Sequence, residues 1–154
     1  MKSFKPAFFA VALSDYLENK LPDHVFRGTA YTAPTTIFVE LYTSACSDSA
    51  RGTEVSGGSY ARASLVGNGT NWAGTQSAGS TAVSAGTGGT TSNNVAVTFV
   101  TPSAGWGTVT HVGLSDALTA GNLLVCTALS VSKTINSGDT VSFPIGSLTN
   151  QMDN

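Results

Sequence analysis

Charge is what this sequence has least of. Asp, Glu, Lys and Arg together make up 10% of its 154 residues, against about a quarter in an ordinary soluble domain. The net charge of −2 at pH 7 supplies no basic field to hold DNA or RNA, so a nucleic-acid partner is not expected. Two Cys make neither a disulfide-rich scaffold nor a four-cysteine zinc site. Two His and nine side-chain carboxylates leave little material for catalysis or metal binding, and no catalytic residue, metal site or cofactor is expected. No apolar run approaches the ~18–20 residues of a membrane helix, so no membrane association is expected.

The scarce charge is also unevenly spread. From Ala63 to Ser115 there is no Asp, Glu, Lys or Arg. A bare surface without charge over a third of a chain is a poor solubiliser, so this stretch is expected either to pack deeply or to meet other protein. Small polar residues fill the gap: 17 Gly, with Ser and Thr making up about a quarter of the chain. Hydrophobic residues reach 41%, enough for the core of one domain. The balance points to a β-rich protein that works by contact.

At the N-terminus, Lys2, Lys5 and the apolar stretch Ala7 to Leu13 imitate a signal peptide at the short limit of its ~7–15-residue apolar region. The better reading of residues 1–13 is an arm. Its Phe4, Phe8 and Phe9 are candidate partner contacts; the alternative is a strand or coil packed on its own domain. Residues 14–154 are expected to form one β-sandwich domain that begins with a helix over Ser14–Arg27. Asp15 and Glu18 have capping-box spacing, Leu17, Leu21 and Val25 recur every four residues, and Gly28 suits the position after the helix. Pro22 predicts a kink or break between Lys20 and Pro22.

From Thr36 to Tyr42 the period becomes two, with Ile37, Val39 and Leu41 on one face and Phe38, Glu40 and Tyr42 on the other. Further strands are expected at Ser59–Val66, Val95–Val100, Thr108–Leu114 and Leu123–Val131, and a last one carries Val141, Phe143 and Ile145. Gly113 marks a bulge or a close backbone approach, and Asn136–Asp139 a turn. Strands at about ten-residue spacing predict an all-β, antiparallel, jelly-roll-like sandwich. Gly67–Asn94, an extended segment rich in Gly, Ser and Thr, needs something to hold it, either neighbouring subunits or its own chain as a long hairpin.

Candidate chemistry is thin. Cys46 lies in a polar loop and Cys126 in an apolar strand, so two free thiols are expected, although pairing would contribute ~4 kcal/mol at best. His111 with Asp116 and a serine imitates a catalytic triad, but no Gly-x-Ser-x-Gly elbow is present and a strand His is usually structural. Gly86–Thr91 resembles a phosphate loop that lacks its lysine and its helix. Trp106, between two glycines, is expected to plug one end of the sandwich. Trp72 is the more open case and a candidate intersubunit anchor, with sugar stacking as the alternative.

Longer phrases carry a resemblance. Ser14–Leu21, His24–Pro34, Glu54–Arg62, Trp106–Leu114, Gly121–Leu124 and Asn136–Phe143 together resemble a family of small virion proteins of tailed bacteriophages, over roughly two-thirds of the chain and in order. Members are commonly labelled tail fibre proteins, and similar small β-domains serve as capsid decoration or cement proteins. The resemblance implies a virion protein assembled in the bacterial host cytoplasm, with no enzyme activity and no cofactor. The sequence shows no sustained repeat or heptad of a fibre shaft. A cement protein binding the major capsid protein as a homo-oligomer, a trimer, is therefore the first expectation. A tail fibre, tail or collar subunit is one alternative, and a carbohydrate-binding module on the virion surface is another.

Overall fold

The computed structural model describes residues 2–4, 7–10 and 13–152, residues 7–10 in their backbone alone. The fold is an all-β sandwich with one helix. Its elements in chain order are β1 (Lys2–Ser3), β2 (Ala7–Ala10), α1 (Asp15–Phe26), β3 (Thr36–Tyr42), β4 (Ala63–Val66), β5 (Thr90–Ser92), β6 (Val97–Thr98), β7 (Gly107–Ser115), β8 (Leu123–Ile135), β9 (Val141–Phe143) and β10 (Leu148–Gln151).

One layer is the four-stranded antiparallel sheet β4-β3-β7-β8. The other consists of β1-β9-β6 and β2-β10-β5. These two short sheets are successive halves of the same three chain segments, interrupted where β9 passes into β10. Pro144 ends β9 because it has no N–H for a ladder. Asn93 spans the interruption with both ends of its buried amide. Its Nδ2 donates to the carbonyls of Val95 (2.8 Å) and Pro144 (2.9 Å), and its Oδ1 accepts from the Leu148 N–H (2.9 Å). Both N-terminal strands join this layer in parallel, Lys2 opposite Val141 and Ala7 opposite Leu148.

Between the layers lies one core. Val39, Leu41, Val109, Val112, Leu114 and Val125 come from the first sheet; Val97, Val141, Phe143 and Leu148 come from the second. Trp106 closes one end as expected. It is buried, its Nε1 donates to the Gly58 carbonyl at 3.0 Å, and its ring meets Tyr60 edge-on at 5.2 Å. The ideal Cβ of a residue at Gly113 would lie 2.8 Å from the Tyr42 ring, so the expected close approach is there. The register shifts fall elsewhere in β7, between Val109 and His111 and between Leu114 and Ser115.

Several expectations change. Ser14 rather than Asp15 caps α1, its Oγ accepting from the Leu17 N–H at 3.3 Å. Pro22 sits inside a continuous helix. The helix lies at the surface, so the carbonyl that Pro22 cannot serve can turn to water. The Leu17/Leu21/Val25 stripe is buried only at Leu17, and Val25 and Phe26 are exposed. Residues 59–62 do not join β4, and β8 runs on to Ile135. Ile145 faces solvent, because the chain turns at Pro144. The segment 67–94 is held by its own chain. Gly74 N–H bonds Ser80 (2.9 Å), Ala73 N–H bonds Ser92 (2.8 Å), and Asn94 N–H bonds Asn71 (2.7 Å).

Candidate functional site

Glu40 stands in the middle of β3, on the face it was expected to share with Tyr42. Both are fully buried, because the loops of residues 43–62 and 116–122 fold over that face. A buried carboxylate must be paired. Glu40 meets Arg62 Nη1 and Arg51 Nε, each at 3.0 Å, and accepts the Tyr42 hydroxyl. Arg62 also holds Glu54 in a two-bond fork, and Tyr60 donates to the same carboxylate at 3.1 Å while accepting the Leu41 N–H at 2.9 Å. Two acids thus balance two arginines.

The remaining guanidinium N–H groups reach loop carbonyls. Arg62 Nη1 meets Ala117 (2.8 Å) and Ala120 (3.0 Å), and Arg51 Nη2 meets Ala120 (3.1 Å) and Gly121 (3.2 Å). Burial works to lower the Arg62 pKa, but its hydrogen bonds to Glu54 and the charges of Glu40 and Glu54 win and raise it. Burial, then the bond to Glu40, pushes the Tyr42 hydroxyl far above its ordinary range. Burial likewise raises Tyr60, against the Leu41 bond that lowers it. These groups are spent on one another. They fasten loops to β3 beside a groove of about 420 Å³ between Glu54, Tyr60, Arg62 and Leu118. The sequence signal for the cluster was the lone acid within Thr36–Tyr42, flanked by Val39 and Leu41.

The second fastening is covalent. Cys46 and Cys126 form a disulfide, with Cα atoms 6.3 Å apart, which corrects the expectation of two free thiols. The polar loop containing Cys46 folds back onto β8, a proximity that separation by 80 residues conceals.

Of the four candidate contact residues, Phe4 and Trp72 have described side chains. Phe4 is a core residue, 2% exposed and stacked on Phe143 at a centroid distance of 4.4 Å. Of the two readings of the N-terminus, packing on its own domain is the one its described residues follow. Phe8 and Phe9 lie on β2, and their side chains fall outside the described residues. Trp72 is half-buried between two cavities. The imagined triad is not assembled. His111 Nδ1 pairs with Thr110 Oγ1 at 2.9 Å, and Asp116 spends its carboxylate on Asn122. The two lie five residues apart, His111 on β7 and Asp116 just past its end. Among the described residues no group of three or more His, Cys, Asp or Glu is placed to hold a metal ion.

A β-sandwich whose buried charges and disulfide serve to fix its loops is built as a rigid scaffold. The family described as Podophage GP4 fiber I protein gp80 matches residues 12–151. The chain belongs to that family and is a structural protein of a phage virion. No curated protein matches the chain. No described helix is long and apolar enough to cross a membrane.

Proposed function

We propose that the chain is a tail fibre subunit that acts by contact and without catalysis. The observation that carries this reading is the family match, which covers α1 and β3 to β10 under a fibre name. Loops fastened by Glu40, Arg51, Arg62 and the disulfide suit a part that bears load and needs no moving site.

Capsid cementing is the weaker reading. A cement protein would use the N-terminal arm to reach its neighbours, and burial of Phe4 removes one of that arm's candidate contacts. The partners proposed are accordingly other fibre chains and further copies of this one, as a trimer, rather than the major capsid protein. Quantitative mass spectrometry of purified virions tests this. A few copies per particle, with antibody labelling at the tail, is the expected result. A ratio to the major capsid protein near one, or a large simple fraction of it, would return the chain to the head lattice.

A further inference from the structure

We infer that the Trp72 groove is a binding site for an uncharged saccharide. The groove, about 460 Å³, runs between the start of β3 and the segment 67–84, with Pro34, Ile37, Asn68, Trp72, Thr81 and Val83 in its walls. Every lining residue is uncharged. An anionic ligand would find no cation there and a cationic one no anion. A neutral ligand carrying both apolar and hydrogen-bonding surface fits such walls.

The chemistry of the walls narrows the class. Trp72 is half-buried, and its Nε1 is enclosed with no hydrogen-bond partner among the described residues. The side-chain surface that the indole leaves open is therefore carbon. Behind it, a second cavity of about 210 Å³ is walled by Leu17, Leu114, Leu124 and Met152. Polar groups stand around this carbon surface. Asn68, in the wall, spends its Oδ1 on the Thr70 and Asn71 N–H groups (3.0 and 2.9 Å), and its Nδ2 has no hydrogen-bond partner among the described residues. Thr81 and Ser84 bring hydroxyls. A sugar ring has the matching halves, a C–H face for the indole and a rim of hydroxyls for amide and hydroxyl partners.

The groove is preformed. Gly67 N–H bonds the Thr35 carbonyl at 2.9 Å, and a Cβ at Gly67 would lie 2.6 Å from the Pro34 carbonyl. Backbone thus packs on backbone at one wall. At the other, a Cβ at Gly74 would run into the Ala82 carbonyl. A site already in shape loses little ordering entropy when it is filled.

The test uses the purified full chain, so it stands apart from the copy-number experiment. An array of uncharged hexose, deoxyhexose and N-acetylhexosamine oligosaccharides is probed beside sialylated and sulfated ones. Retention on uncharged glycans in preference to charged ones is expected. Trp72→Ala and Val83→Arg should each lower affinity for the best oligosaccharide about tenfold or more, the scale of an anchor residue. Val131→Arg, outside the groove, should leave it unchanged. Val83 is 90% exposed, so its replacement keeps the test decisive if Trp72→Ala unfolds the chain. The proposal fails if no uncharged glycan is retained or if charged glycans bind as well. It also fails if affinity is unmoved in either groove variant that keeps the wild-type melting temperature.

Discussion

Arg62 meets Glu54 edge to edge, with Nε 2.8 Å from Oε1 and Nη2 2.8 Å from Oε2. Its third nitrogen turns inward to the fully buried Glu40. One guanidinium therefore neutralises a core acid, clamps a surface acid and holds two loop carbonyls. Removing it strands Glu40 with Arg51 alone. Arg62→Met should cost about 3–5 kcal/mol in urea unfolding, the scale for breaking a buried ion pair. Arg62→Lys should recover little, because an ammonium cannot reproduce the planar fork. A loss below 1 kcal/mol for Arg62→Met would show that the network is not a fastening.

The disulfide makes a second prediction. Under denaturing conditions without reductant the chain should present no free thiol, since Cys46 and Cys126 are paired and no free cysteine remains. Cross-linking 80 residues apart constrains the unfolded chain by about 4 kcal/mol in the chain-entropy account. Reduction, or the pair Cys46→Ser with Cys126→Ala, should lower the melting temperature by roughly 10 °C. Two titratable thiols in the untreated protein would refute the pairing.

Phe4 supplies a third. Its ring is in the core against Phe143, so Phe4→Ala should cost about 3–4 kcal/mol. A deletion of residues 1–13 should be destabilised by at least as much, rather than giving an intact fold that has merely lost an arm. Calorimetric melting of both variants checks this. Wild-type melting in the deletion would restore the arm reading.

His111 supplies a fourth. Partial burial lowers its pKa below the ordinary 6.5. As pH falls through about 6.5 the unfolded chain takes up this proton before the folded one. The favourable neutral state is complete above that value and is lost progressively toward the folded pKa. Stability should thus fall as pH drops below about 6.5, and less steeply in His111→Gln. Parallel slopes for the two proteins would remove His111 from the pH dependence.

Local pattern made much of the framework legible. The alternation in Thr36–Tyr42 marked β3, and Asn136–Asp139 formed its turn, with the Asn136 N–H on Asp139 at 2.7 Å. Trp106 between glycines signalled the end plug. The cap is less plain, since Asp15 and Glu18 imitate the capping-box spacing one residue after the true cap, Ser14. The candidate contact surface was less legible. Phe4 and Trp72 are both bulky aromatics in weakly patterned surroundings, and nothing nearby in sequence separates a core ring from a groove wall.

The sequence by itself determined the class of this protein. Its period-two strands and its helix signals pointed to a β-sandwich with one helix, and its longer phrases carried the resemblance to a phage virion family. These features are local, and each is set within a few residues by backbone sterics and burial. Only the tertiary structure decided that Glu40 lies inside, that Cys46 reaches Cys126, that Phe4 belongs to the core and that Trp72 stands between two cavities. Each of those depends on segments distant in sequence folding against one another. Burial of a charge or a ring is a property of what covers it, and the chain that covers it is encoded elsewhere.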